Sequence, residues 1–223
     1  EKLIVGGNLS FGRAYIYDNL TIGTSTIAGT LYGRGAFIQS IRIYDTEALN
    51  NFRFNRGVLP NYANFERVKT RAIDLSDSRL STLNIREAHI SERLNLNDAE
   101  ATCKYSIERT DATELLGEGF TIGVLSGRTK TQPDLTLGLW SRPPRDAAIL
   151  KVEEVQNRLK LFLIPKDGKC TESTASFNLV EGTYRTITLE NINWGHALPR
   201  SEPPQGTLMS FLRTKVVDDM TLN

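Results

Sequence analysis

The sequence predicts an all-β chain: a β-solenoid or β-repeat stalk over residues 1–101, followed by a disulfide-closed β-sandwich or jelly-roll head over residues 102–223. Three observations lead there. An unbroken five-residue repeat occupies the middle of the first half. From Thr102 that period gives way to short strand-like segments divided by turn residues. Both cysteines, Cys103 and Cys170, fall in the second half.

In the repeat, Phe65, Thr70, Leu75, Leu80, Ile85 and Ile90 lie five residues apart, each preceded two residues earlier by Ala63, Val68, Ile73, Ser78, Leu83 or Ala88. Polar residues separate the members of each pair and follow each pair. Period five matches neither the 3.6 of an α-helix nor the 2 of a flat strand. It suits a chain that turns a corner every five residues and stacks its coils at strand spacing, about 4.8 Å, with two residues of every five pointing inward. A helix over 63–100 is the rival, since Arg, Glu and Leu favour one. The apolar pairs, however, wind around such a helix instead of forming one stripe.

Leftward, Tyr44, Leu49, Phe54 and Leu59 keep the five-residue step, with Pro60 as a one-residue insertion, while their partners Arg42, Glu47, Phe52 and Gly57 fit the inward positions poorly. Earlier still, short alternating pieces such as Tyr15-Ile16-Tyr17 and Leu20-Thr21-Ile22 are separated by turn residues. At Leu94 and Leu96 the phase slips, which sets the expected end of the solenoid near Ala101.

Ala63-Asn64-Phe65, Ile73-Asp74-Leu75 and Leu83-Asn84-Ile85 resemble the pentapeptide-repeat family, whose consensus is roughly Ala-(Asp/Asn)-Leu-x-x. The resemblance covers residues 63–92 well and 3–100 more weakly, and it implies a β-solenoid. Some members of that family inhibit gyrase by imitating DNA, a use that requires a strongly acidic surface. This chain has 27 basic and 26 acidic residues, so that use does not transfer.

In the second half the expected strands are Cys103–Ile107, Phe120–Leu125, Leu135–Trp140, Ala148–Val152, Leu159–Ile164, Ala175–Val180, Tyr184–Leu189 and Leu208–Leu212. Val152–Asn157 is short enough to hold a helical turn. The two cysteines are expected to bond, closing a long loop worth about 4 kcal/mol in the chain-entropy model, which points to an extracellular or cell-surface setting.

Catalytic signatures are sparse. The only histidines, His89 and His196, fall in different expected domains, so neither a His-rich metal site nor a zinc cluster is expected. There is no phosphate-binding loop and no nucleophile elbow. Gly117-x-Gly119 reads as a turn before a strand, and Asp74 and Asp77 belong to the repeat phase and are not a catalytic carboxylate pair. No cofactor is implied. The candidate ligand-binding residues are Asn193, Trp194 and His196, where an indole ring beside hydrogen-bonding groups suits a sugar, together with Trp140 and Arg142 at a second strand-to-loop junction. For both tryptophans, packing in the core is the competing reading.

In layout, a repeat stalk with a β-rich head resembles a bacterial type IV minor pilin or pilus-tip adhesin. That likeness implies a non-catalytic binding or adhesion protein, a host glycan or surface protein as partner, and a homotrimer with Tyr15, Tyr17, Phe37 and Tyr44 at its contacts. A phage tail-fibre or tailspike receptor-binding segment and a secreted carbohydrate-active enzyme are the alternatives. Balanced charge argues against nucleic acid, and no apolar run is long enough to span a membrane. The chain starts at Glu1 instead of Met, and is therefore expected to be a processed protein or an excised fragment.

Overall fold

The structure is a computed structural model that describes residues 2–122, 149–155, 158–163, 176–194 and 208–223. Every element among them is a strand.

The inward positions of the repeat are the reason. All twelve residues of the Ala63–Ile90 phase are buried, from Ala63, Ile73, Leu83 and Ile85 at 0% exposure to Thr70 at 4%. With alternate side chains inside, the backbone is extended, and its N–H and C=O groups pair with the coils on either side. Tyr15 pairs with Phe37, Phe37 with Val58, Val58 with Arg79, Arg79 with Glu100, and Glu100 with Thr121, five parallel steps of a continuous solenoid.

Each coil contributes to two parallel sheets. One contains Tyr15–Gly23, Phe37–Tyr44, Val58–Glu66, Arg79–Arg86 and Glu100–Glu108; the other contains Glu47–Arg53, Lys69–Asp74, His89–Asn95 and Asp111–Glu118. The chain passes between sheets at corners with left-handed backbone. One corner column is Thr24, Asp45, Arg67, Glu87, Arg109, Glu181 and Arg213; the other is Arg13, Gly35, Arg56, Asp77, Asp98, Gly119 and Asn191. Each strand also bends once along its length, where its register shifts. Two corners and two bends give the four inward pairs per coil that the five-residue period reports.

The phase slip at Leu94 does not end the solenoid. The register shifts between Ile90 and Arg93, and Leu94 and Leu96 then resume inward positions at 0% exposure. The bend takes up the extra residue. The same happens between Ala48 and Asn51, which is why Leu49, expected inward, is 58% exposed while Ala48 and Phe52 are buried.

Nor does the architecture change at residue 101. The strand Glu100–Glu108 crosses that point, and Thr121–Ile122 lies on the next coil. Ser176–Val180 then pairs in parallel with Glu100–Glu108, and Thr183–Glu190 with Asp111–Glu118; Leu208–Leu212 and Lys215–Leu222 stack on those in turn. A sandwich head across 102–223 is therefore not what the described residues form. Ser176–Val180, Thr183–Glu190 and Leu208–Leu212 fall close to where the sequence places strands but join the solenoid in parallel, and Asp111–Glu118 and Lys215–Leu222 are further solenoid strands not expected from the sequence. One buried core runs from Ile22 to Leu189 without a break, and its upper part is an aromatic stack in which Phe177 meets Tyr105 at 5.7 Å, Phe120 at 5.5 Å and Phe211 at 6.3 Å.

Outside the solenoid, Ile149–Val155 and Arg158–Leu163 form an antiparallel pair, so the stretch allowed a helical turn is largely strand. Residues Leu135–Trp140 lie outside the described residues. So does Cys170, the expected partner of Cys103. Among the described residues no helix is long and apolar enough to cross a membrane.

Candidate functional site

Of the two bends along the solenoid, one carries the longest departures from the ladder: the bend in the sheet that begins with Tyr15–Gly23. Coil by coil, the residues without a ladder partner there are Tyr17-Asp18, then Gln39, then Pro60-Asn61, then Ser81, then Thr102-Cys103. Coils thus alternate between two residues and one at this point. Because the register skips at the bend, its length changes from coil to coil while the strands on either side stay paired.

The next two coils take that variation furthest. Ala101 pairs with Ile122 and Lys104 with Ser176, so residues 123–175 occupy the position that Thr102-Cys103 fills one coil below. Ile122 pairs with Trp194 and Ser176 with Leu208, so residues 195–207 leave from the same line one coil above. The two excursions start and return on adjacent coils, about 4.8 Å apart.

The sequence-predicted residues all fall at these excursions. Asn193 and Trp194 form the last strand before the second excursion, in register with Thr121 and Ile122. His196 belongs to residues 195–207 and Trp140 and Arg142 to residues 123–175, outside the described residues. The topology therefore brings to one line of the solenoid segments that are distant in sequence. His89, the other histidine, is exposed at its outward repeat position.

Cys103 occupies the bend directly beneath the first exit. It is buried, and the Ser81 hydroxyl below lies 3.3 Å from its Sγ. At the opposite end of the same line the short bend at Gln39 lies between the two longer bends at Tyr17-Asp18 and Pro60-Asn61. A hollow of about 590 Å³ opens there, lined by Tyr17, Asp18, Gln39, Asn61 and their neighbours. The Tyr17 ring is 52% exposed and is braced by Tyr15 at 6.4 Å and Phe37 at 6.0 Å. Burial, and then the neighbouring Tyr17, push the Tyr15 phenol above its usual pKa. Phe37, expected among the oligomer contacts, is only 3% exposed and belongs to the core. Tyr44 is half-buried, with the Arg42 guanidinium 5.1 Å above its ring.

The hollow was not foreseen from the sequence, although one signal for it was present. Pro60 stood out as an extra residue, and an extra residue beside a shorter bend is what opens the recess.

Charge follows the corners. In one column Asp45, Arg67, Glu87, Arg109, Glu181 and Arg213 alternate in sign from coil to coil. The Arg67 Nε donates to Asp45 at 2.6 Å; Arg109 reaches Glu87 at 3.3 Å and Glu181 at 3.0 Å; Arg213 reaches Glu181 at 3.0 Å. Hydrogen bonds from Arg109, and then from Arg213, hold the Glu181 carboxyl below the usual range, and Arg67 does the same for Asp45. This is a ladder of compensated charge. Among the described residues no three His, Cys, Asp or Glu side chains converge as a metal site.

Comparison with known proteins finds no matching family, no matching curated protein and no matching solved structure. The class that the fold defines is a parallel β-solenoid with excursions at one bend, and no link to the pentapeptide-repeat family or to pilins is shown.

Proposed function

We propose that this chain is a non-catalytic extracellular binding or adhesion protein, in which the solenoid is a rigid carrier and the two excursions from its bend carry the ligand-binding residues. One observation supports this most: the segments holding Trp140, Arg142 and His196 leave from adjacent coils, at a bend whose length already varies from coil to coil. Binding residues on loops held by a rigid scaffold are a recurrent arrangement, because the scaffold fixes the loop ends while the loop sequence stays free to vary. The partner in this reading is a host glycan or a surface protein, and the assembly is a homotrimer on the layout argument alone. A Cys103–Cys170 bond completes it, since it ties chain shortly before the return at Ser176 to the coil beneath the exit.

The test is a variant in which residues 195–207 are replaced by two glycines, matching the natural length of the bend. The solenoid is expected to keep its β circular dichroism and its melting temperature, while signal on a glycan array disappears. Undiminished array binding by the folded variant counts against the second excursion as a binding element.

A further inference from the structure

We propose a second ligand site, on the solenoid itself: the hollow at the Gln39 bend is a saccharide-binding recess with Tyr17 as its stacking platform. The proposal goes beyond the function assigned to the excursions, because the recess lies coils away on the same line and is built entirely of solenoid residues.

The recess follows from bend length. Tyr17-Asp18 and Pro60-Asn61 each project one residue further than Gln39 between them, leaving a notch of about 590 Å³, within the range of small-molecule sites. Its aromatic side is preorganised. Tyr17 is half exposed, yet its ring is held against Tyr15 and the buried Phe37, so little ordering is needed when a ligand stacks on it. Its polar side is equally fixed. The Asn61 amide donates to the Ser40 hydroxyl at 3.4 Å, and Asp18 Oδ1 accepts from the Asn19 backbone N–H at 2.8 Å.

The chemistry selects the ligand. Side-chain amides of Asn19 and Gln39 each carry donors and an acceptor, and Asn61, held by Ser40, adds a third amide to the lining, a set that suits hydroxyl groups that both give and accept hydrogen bonds. No Lys or Arg lines the hollow, so nothing there attracts a phosphate or sulfate. An exposed phenol ring beside amides and one carboxylate fits a neutral pyranose, whose C–H face packs on the ring while its hydroxyls meet the polar groups.

Saturation-transfer NMR on the whole chain tests this, with galactose, mannose and N-acetylglucosamine as probes. At least one is expected to show saturation on its ring protons. Tyr17→Ala is expected to weaken that signal about tenfold, and Tyr17→Phe to retain it. Should Tyr17→Ala lower the melting temperature, Gln39→Ala, which alters only the notch floor, replaces it and is expected to reduce the signal as well. The variant with residues 195–207 replaced is expected to keep this signal, which separates the recess from the excursion site. Silence from all three sugars overturns the proposal. So does a sugar signal that survives both Tyr17→Ala and Gln39→Ala, or one displaced by choline, which marks the aromatic group as an ammonium cage.

Discussion

Tyr184 lies inside the solenoid with its ring over Gly182, where an added Cβ meets the Thr110 carbonyl oxygen at 2.4 Å. Its hydroxyl is buried without a hydrogen-bond partner, and burial, with Asp111 nearby, raises its pKa well above the usual value. An unmade hydrogen bond on a buried donor is a cost that phenylalanine does not carry. Tyr184→Phe is therefore expected to stabilise the protein by about 1 kcal/mol in urea unfolding, with the slope of the transition unchanged. The inward columns have the opposite sensitivity. Leu80 and Ile85 are 2% and 0% exposed, and Ile85→Asp places a carboxylate among Phe65, Ile107 and their neighbours. Loss of the β circular dichroism signal is the expected result, because a buried unpaired charge costs several kcal/mol or more. A variant that melts like the parent shows that this column does not face inward.

At the scale of elements, the bend and the strand differ in what they tolerate. Ser81 has no ladder partner, so adding one residue beside it only gives that coil the two-residue bend that Thr102-Cys103 already has. The same addition between Leu83 and Asn84 moves every later side chain of the strand to the other face. Thermal melting of the two insertion variants is expected to fall slightly for the first and to collapse for the second. The corner ladder gives an element-scale expectation about pH. Glu181 has its folded pKa lowered by Arg109 and Arg213, so its contribution is complete above the ordinary carboxylate pKa and is lost as pH falls through the lower folded value. Melting temperature is expected to drop in acid below that range, and Glu181→Gln to flatten the drop while lowering the plateau at neutral pH. Equal slopes for variant and parent show that Glu181 does not drive the acid response.

For the whole molecule, the joint between the coils before residue 123 and those after residue 175 matters most. Backbone pairing from Lys104–Glu108 to Ser176–Val180, the Arg109–Glu181 ion pair and the aromatic packing of Phe177 on Tyr105 and Phe120 all cross it. The proposed Cys103–Cys170 bond adds a covalent tie at the same level. Non-reducing mass spectrometry of protein made under oxidising conditions is expected to find the two cysteine peptides linked. Two free thiols in that sample remove the bond and, with it, the support for an extracellular setting.

The five-residue phase from Ala63 to Ile90 was fully legible in the sequence, because it rests on a local alternation that each residue and its near neighbours satisfy. Several strand positions after Thr102 were legible for the same reason, whereas the strands Asp111–Glu118 and Lys215–Leu222 were not foreseen. What the local pattern could not contain was the pairing partner of each strand. A one-residue bulge between Ile90 and Arg93 ends the arithmetic of the repeat without ending the coil, and 53 residues between Ile122 and Ser176 hide that these pair with the nearby positions Ala101 and Lys104. That choice is made by backbone hydrogen bonds between coils and by the shared core, which count only the residues in the ladder. The bend lies outside the ladder, so only the tertiary structure decides that one solenoid runs to the last strand, that the excursions share one line, and that a recess opens beneath Tyr17.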